Sequence, residues 1–202
     1  MTIDLYKYSK KNKFFKFIIT KIFKVEVDVL IKPVFLTFNI DLQFNRSFFY
    51  NYKIQFPETK WMKMKNAYKF YQSNHDLDKH KEMKLLKKNF EMLLNNKVKL
   101  DIFKKDTIGK FKIKSMWFTI QNKNEGVHSH NHPKSILSGV YYINVENNSG
   151  GEIILDVGDK KITHSPKIND LIIFNSTVFH SVNPYLSKND RIAVAWDAIY
   201  TL

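Results

Sequence analysis

The chain reads as a mainly β protein of the α+β class, a double-sheet jelly roll or related barrel braced by helices from its N-terminal half. Three observations predict this. After about residue 97 the sequence breaks into some eight short β-rich runs, at 98–103, 111–121, 136–145, 152–157, 161–164, 170–175, 178–182 and 191–200. Turn formers separate them, among them Asn147-Asn148-Ser149-Gly150-Gly151, Gly158-Asp159, Ser165-Pro166 and Asn183-Pro184. Helical spacing of apolar residues occurs only before that point.

At 202 residues the chain suffices for one domain with a real core, and 44% hydrophobic with 15% aromatic residues is a globular composition. There is no cysteine, which excludes disulfides, iron–sulfur clusters and thiolate zinc sites. Any metal must therefore sit on histidine and carboxylate. The net charge of +14 is unevenly spread: residues 1–114 carry +15 and residues 115–202 carry −1. Nearly all of the excess is lysine scattered among apolar residues, which reads as a solvated face more than a dedicated nucleic-acid or other polyanion site. The most apolar early run, residues 14–31, is broken by Lys16, Lys21, Lys24, Glu26 and Asp28. Neither a signal peptide nor a membrane span is expected, and the expected compartment is cytoplasmic.

Taken in order, residues 25–31 alternate as a half-buried strand does, Pro33 ends that strand or marks an edge, and 35–44 offers another. Trp61, Met62, Met64, Tyr68 and Phe70 suit a short helix over 58–74. A clearer helix follows, capped by Asp76 or Asp78, with Met83, Leu86, Phe90, Leu93 and Leu94 on one face and Asn95-Asn96 as its stop. Residues 1–96 are thus expected to form a basic region whose helices buttress a core over 97–202. No linker or repeat separates the two, so one structural unit is expected.

The chemistry gathers in two stretches. His128, His130 and His132 fall at spacing i, i+2, i+4, so an extended backbone would turn all three imidazoles to one side. That pattern suits a metal site, and equally a solvated turn. About fifty residues on, His180 stands alone on a strand, and Arg191 opens the last strong strand eleven positions later. Arg191 is the only arginine besides Arg46 in a lysine-rich chain, which suggests that a planar fork for a carboxylate is required. On its strand Arg191, Ala193, Ala195 and Asp197 share one face, leaving room beside the arginine for a small acid. Ile192, Val194, Trp196 and Ala198 share the other, to pack against helices.

The ordered series His130-x-His132-Pro133, Leu137-Ser138-Gly139-Val140-Tyr141-Tyr142, Ser149-Gly150-Gly151-Glu152, Asp170-Leu171-Ile172-Ile173-Phe174, His180 and Arg191 resembles the Fe(II)/2-oxoglutarate-dependent oxygenases over residues 115–200. Within them it is similar to a prolyl-hydroxylase-related subfamily of marine bacteria and phages. The resemblance implies a double-stranded β-helix, Fe(II) and 2-oxoglutarate as cofactors, O₂ as cosubstrate, and a dioxygenase that hydroxylates a substrate the motifs do not identify. It implies His180 as the distal iron ligand, Arg191 as the 2-oxoglutarate anchor and Tyr142 as a hydrogen-bonding partner of the same cosubstrate. It favours His130 and His132 as the first ligand pair. The family's usual His-x-acid is missing here: no acid stands two residues after any clustered histidine, and Asp156 and Asp197 are the acids considered as ligand or support. Two other readings remain beside it: a cupin-like three-histidine metal protein without 2-oxoglutarate chemistry, and a basic binding module acting through residues 1–114.

Overall fold

The structure, a computed structural model, describes residues 16–19, 27–30, 34–42, 44–59, 70–103 and 108–202. In chain order the strands are β1 (Lys16–Ile19), β2 (Val27–Leu30), β3 (Phe35–Asn39), β4 (Tyr71–Gln72), β5 (Lys110–Gln121), β6 (Val127–His130), β7 (Leu137–Asn144), β8 (Ile153–Val157), β9 (Lys160–His164), β10 (Asp170–Asn175), β11 (Phe179–Val182) and β12 (Arg191–Thr201). The α-helices are α1 (Ser47–Gln55), α2 (Lys81–Leu93) and α3 (Lys99–Phe103). A 3₁₀ turn, Leu77–Lys79, precedes α2, and a π-helical turn, Leu94–Val98, joins α2 to α3.

Two sheets carry the fold. The larger runs β3-β10-β7-β12-β5-β4 and the smaller β6-β11-β8-β9, with all named strand pairs antiparallel. β1 and β2 pair as a separate antiparallel ribbon. This is the double-stranded β-helix expected of the strand-rich half. β3 and β4, from the N-terminal half, join the larger sheet at its two ends.

The alternation of β12 organises three layers. Ile192, Val194, Trp196 and Ala198 face the helices and pack with Met83, Leu86, Phe90 and Leu94 of the α2 arm. The Phe90 and Trp196 rings lie 5.9 Å apart, and burial of each such side chain contributes about 1.5–3 kcal/mol. Ala193, on the opposite face, joins Tyr142, Ile153, Leu155, Ile172 and Phe174 in the core between the two sheets. Gly139 makes this layering possible, because a Cβ there would lie 2.1 Å from the Trp196 ring.

The helical region departs from expectation. Residues 98–103 are helical, not a strand, because the α2 arm continues through the π turn, with Leu94 and Val98 buried. Asn95 does not end the helix. Its Nδ2 donates to the carbonyls of Glu91 and Phe111, and its Oδ1 accepts the Phe111 amide. Glu91 Oε1 likewise accepts the Ile113 amide. These two side chains thereby satisfy three backbone groups on β5, as a neighbouring strand would. Neither Asp76 nor Asp78 caps α2: Asp76 holds the N-cap position of the preceding 3₁₀ turn without a side-chain hydrogen bond, and His80 occupies the N-cap of α2 in the same way. Of the helix expected over 58–74, residues 60–69 lie outside the described residues and Tyr71–Gln72 is strand β4. Helix α1 has no counterpart in the sequence reading: aromatic residues occur nearly all round it, so no apolar period announces it.

Candidate active site

The site lies between the two sheets, where β6 meets β11. These strands pair so that His130 stands directly opposite His180, and their rings lie 4.2 Å apart. His132, two residues past the strand, is tied down by its amide, which donates to the Ser176 carbonyl at 2.7 Å. Its ring lies 5.2 Å from that of His180 and 5.1 Å from that of His130. One ligating nitrogen from each of the three falls within 4.8 Å of the others.

The outer nitrogens explain how the rings are oriented. His130 Nδ1 donates to the His128 carbonyl at 2.8 Å, His180 Nδ1 to the Val178 carbonyl at 3.1 Å, and His132 Nδ1 to Asp197 Oδ2 at 2.9 Å. A carbonyl or carboxylate oxygen can only accept, so each Nδ1 carries a proton and Nε2 is the nitrogen that each ring, when neutral, offers as a ligand. Burial pulls His130 below the usual histidine range, and pulls His180 down to about 3 with the His130 charge adding to it. Both are therefore neutral imidazoles at neutral pH, the form that binds a metal.

Asp197 sits behind His132. Its second oxygen lies 2.7 Å from Ser138 Oγ, which is 3.1 Å from Ser176 Oγ, so the carboxylate is fixed from both ends. It supports a histidine and is not one of the three clustered donors. Asp156 is placed outside the site: it stands opposite the exposed Phe179 and pairs with Lys161 at 3.5 Å. His128 is exposed, and its carbonyl accepts from His130 Nδ1.

Arg191 and Tyr142 lie deeper in the same cavity. Arg191 is 2% exposed and Tyr142 fully buried, with the guanidinium carbon 4.9 Å from the Tyr142 ring centroid, a cation–π contact. Arg191 Nη1 donates to Gln121 Oε1. Arg191 Nε and the Tyr142 hydroxyl are both buried without a hydrogen-bond partner. Burial pushes the Tyr142 phenol up, against the pull of the adjacent guanidinium, and pulls Arg191 down. Ala193 and Ala195 line the space between arginine and histidines, as the alternation of β12 predicts.

Several lining residues escape a reading of motifs alone. Trp117 is stacked between two imidazoles, with His132 at 5.5 Å and 13° and His75 at 4.2 Å and 10°. Burial lowers His75 to about 4. Thr119 and Gln121 continue the same face of β5, and Gln72 joins them from β4. The signal for the β5 residues was present in the alternation of 111–121. It becomes informative only with the register that sets Gln121 against Arg191.

Residues 115–197 match the family described as "Putative 2OG-Fe(II) oxygenase". No curated protein matches the chain. Among solved structures, the fold is similar to HygX from Streptomyces hygroscopicus, determined with nickel and 2-oxoglutarate bound, at 10% identity over 81% of each chain and a TM-score of 0.58. It is also similar to the viral collagen prolyl hydroxylase vCPH from Paramecium Bursaria Chlorella virus-1, in a 2-oxoglutarate complex, at 18% identity over 65% of this chain and 80% of that one, TM-score 0.50. The chain spans 57% of a 2OG-Fe(II) oxygenase family oxidoreductase from Burkholderia pseudomallei, with 16% identity over 55% of its own length and a TM-score of 0.46. The likeness to the 2OG-Fe(II) oxygenases thus lies in the β-core, residues 115–197.

Proposed function

We propose that the protein is an Fe(II)- and 2-oxoglutarate-dependent dioxygenase, with His130, His132 and His180 as metal ligands and with Arg191 and Tyr142 holding 2-oxoglutarate. The observation that carries this reading is the pairing of two features in one cavity: three clustered imidazoles whose Nδ1 atoms are each spent on an acceptor, and a buried arginine with a donor unspent. The donor set fits a borderline first-row metal, which imidazole suits. The unpartnered Nε of Arg191 and hydroxyl of Tyr142 fit a carboxylate arriving from outside the chain.

Fe(II) with 2-oxoglutarate supplies oxidative chemistry in which 2-oxoglutarate and O₂ become succinate and CO₂ while the substrate is hydroxylated. The chain's own residues bind and orient. His130 and His180 offer neutral nitrogen ligands from facing strands. His132 would present its Nε2 with Asp197 behind its Nδ1, so the carboxylate that most members of the family bring to the metal directly would act here through an imidazole. Arg191 fixes the distal end of the cosubstrate, with Tyr142 beside it. Trp117 walls the site next to His132 and limits water.

The absence of a carboxylate among the clustered donors favours one second reading, a cupin-like three-histidine metal protein in which Arg191 binds another anion. No described helix is long and apolar enough to cross a membrane. We place the enzyme in the cytoplasm, which a chain without cysteine fits. Anaerobic addition of Fe(II) and 2-oxoglutarate should produce the weak visible charge-transfer band of the chelate, and His180→Ala should abolish it. Folded, iron-loaded protein that shows no band and forms no succinate would overturn the oxygenase reading and leave the second.

A further inference from the structure

Gln121 stands directly opposite Arg191 in the β5–β12 pair and is fully buried. Its Oε1 receives Nη1 of the guanidinium. The Tyr142 ring lies 4.9 Å from the guanidinium carbon. Gly151 borders the same side chain: a Cβ there would come within 3.1 Å of both Cδ and Nε of Arg191, and its φ of +71° is one that L side chains rarely adopt. Among the described residues no carboxylate pairs with Arg191, and its Nε has no partner.

Each of these neighbours fixes where the guanidinium lies, and none cancels its charge. A glutamate has the size of glutamine and would hold the arginine more firmly through a charge-assisted bond. It would also neutralise the one buried cation in the cavity. The neutral amide oxygen restrains Nη1 and leaves the guanidinium with its full, poorly solvated positive charge and an Nε–H without a partner.

We propose that Gln121 is a positioning residue that aims Arg191 through Nη1 while preserving its charge, so that the Nε and Nη2 donors receive a carboxylate, with Gly151 making room for the arginine. This rests on the oxygenase reading, in which that carboxylate is the distal one of 2-oxoglutarate. The site then discriminates by charge: an acid with a second carboxylate binds, and the same compound with that group amidated is rejected.

The test compares wild type, Gln121→Glu and Gln121→Met, each loaded with redox-inactive Mn(II). Binding of 2-oxoglutarate is followed through tryptophan fluorescence, since Trp117 and Trp196 border the cavity. Mn(II) affinity is measured separately. Gln121→Glu should weaken 2-oxoglutarate on the order of 100-fold, because an internal carboxylate takes the place of the external one, with Mn(II) affinity unchanged. Gln121→Met removes the acceptor without adding charge and should weaken binding about 10-fold, read with Fe(II) as a raised KM for 2-oxoglutarate at unchanged kcat. If Gln121→Glu binds 2-oxoglutarate as wild type does, the role of Gln121 is overturned and the oxygenase reading stands. Should Gln121→Glu not fold, an unchanged KM in Gln121→Met overturns it equally. Mn(II)-loaded wild type that fails to bind 2-oxoglutarate sinks the oxygenase reading and this inference with it.

Discussion

Replacing Arg191 by methionine separates a cation held for a ligand from a cation held for the fold. A buried salt bridge that loses one partner typically costs about 3–5 kcal/mol, because the other charge is stranded. Arg191 has no carboxylate partner among the described residues, only Gln121 Oε1 and the Tyr142 ring. Its removal leaves Gln121 unsatisfied, at about 1–3 kcal/mol, and forfeits a cation–π contact of up to about 2 kcal/mol. Against these stands relief of the desolvation of an unpaired ion, itself several kcal/mol. The expected ligand-free stability of Arg191→Met is therefore within about 2 kcal/mol of wild type. Ligand-induced stabilisation should behave oppositely. At 2-oxoglutarate a hundredfold above its Kd, wild type gains about 2.7 kcal/mol. For a chain of 202 residues this corresponds to roughly 5–11 °C in Tm, at about 2–4 °C per kcal/mol. Thermal melts of the Mn(II)-loaded proteins with and without 2-oxoglutarate measure both quantities, and the variant should show no shift. A variant that melts far below wild type yet keeps the ligand-induced shift would refute the reasoning, since the arginine would then be structural.

Three further outcomes follow from neighbouring residues. Asp197→Asn should weaken metal binding about 10- to 100-fold with the fold intact, because the His132 Nδ1–H loses its charged acceptor; titration with Co(II) followed by absorbance reads this directly. Gly139→Ala should destabilise by at least about 1–3 kcal/mol in urea unfolding, since the added methyl falls within the Trp196 ring. At Asp170, burial works to raise the carboxyl, but hydrogen bonds from His164, Asn39 and the Lys167 amide together hold it below its ordinary 3.8. The depressed value means that its stabilisation is fully present above pH 3.8 and is lost as pH falls through the folded value. Asp170→Asn should accordingly cost about 1–2 kcal/mol at neutral pH, and its deficit against wild type should narrow as the pH is lowered below 3.8; a deficit that stays constant over the whole acid range would contradict this.

The β-core was legible because its cues are local. Alternation along β12 and turn residues between strands do not depend on distant partners, and seven of the eight expected runs are strands within a residue or two. The exception, 98–103, has branched and long apolar residues that suit either state, and packing of Leu94 and Val98 behind the sheet decided for helix. Asn95-Asn96 read as a stop because asparagine usually spends its amide on its own backbone. Here a strand sixteen residues away takes it. At the site, the residue types and order of His130, His132, His180 and Arg191 were visible. The contributions of Trp117 and Gln121 depend on which residues of β5 face β12, and no local pattern fixes that pairing.

The side chains of Glu91 and Asn95 on β5 carry a consequence for how this protein behaves among other copies of itself. A long strand with open amides and carbonyls invites a foreign strand to add on. Here the vulnerable stretch around Phe111 and Ile113 is masked by two polar side chains on a helix, without any additional strand being built. Colloidal solubility and the packing of α2 therefore depend on the same helix. Loss of Asn95, far from the histidines, would show itself first as concentration-dependent self-association and only afterwards, if at all, in the cavity.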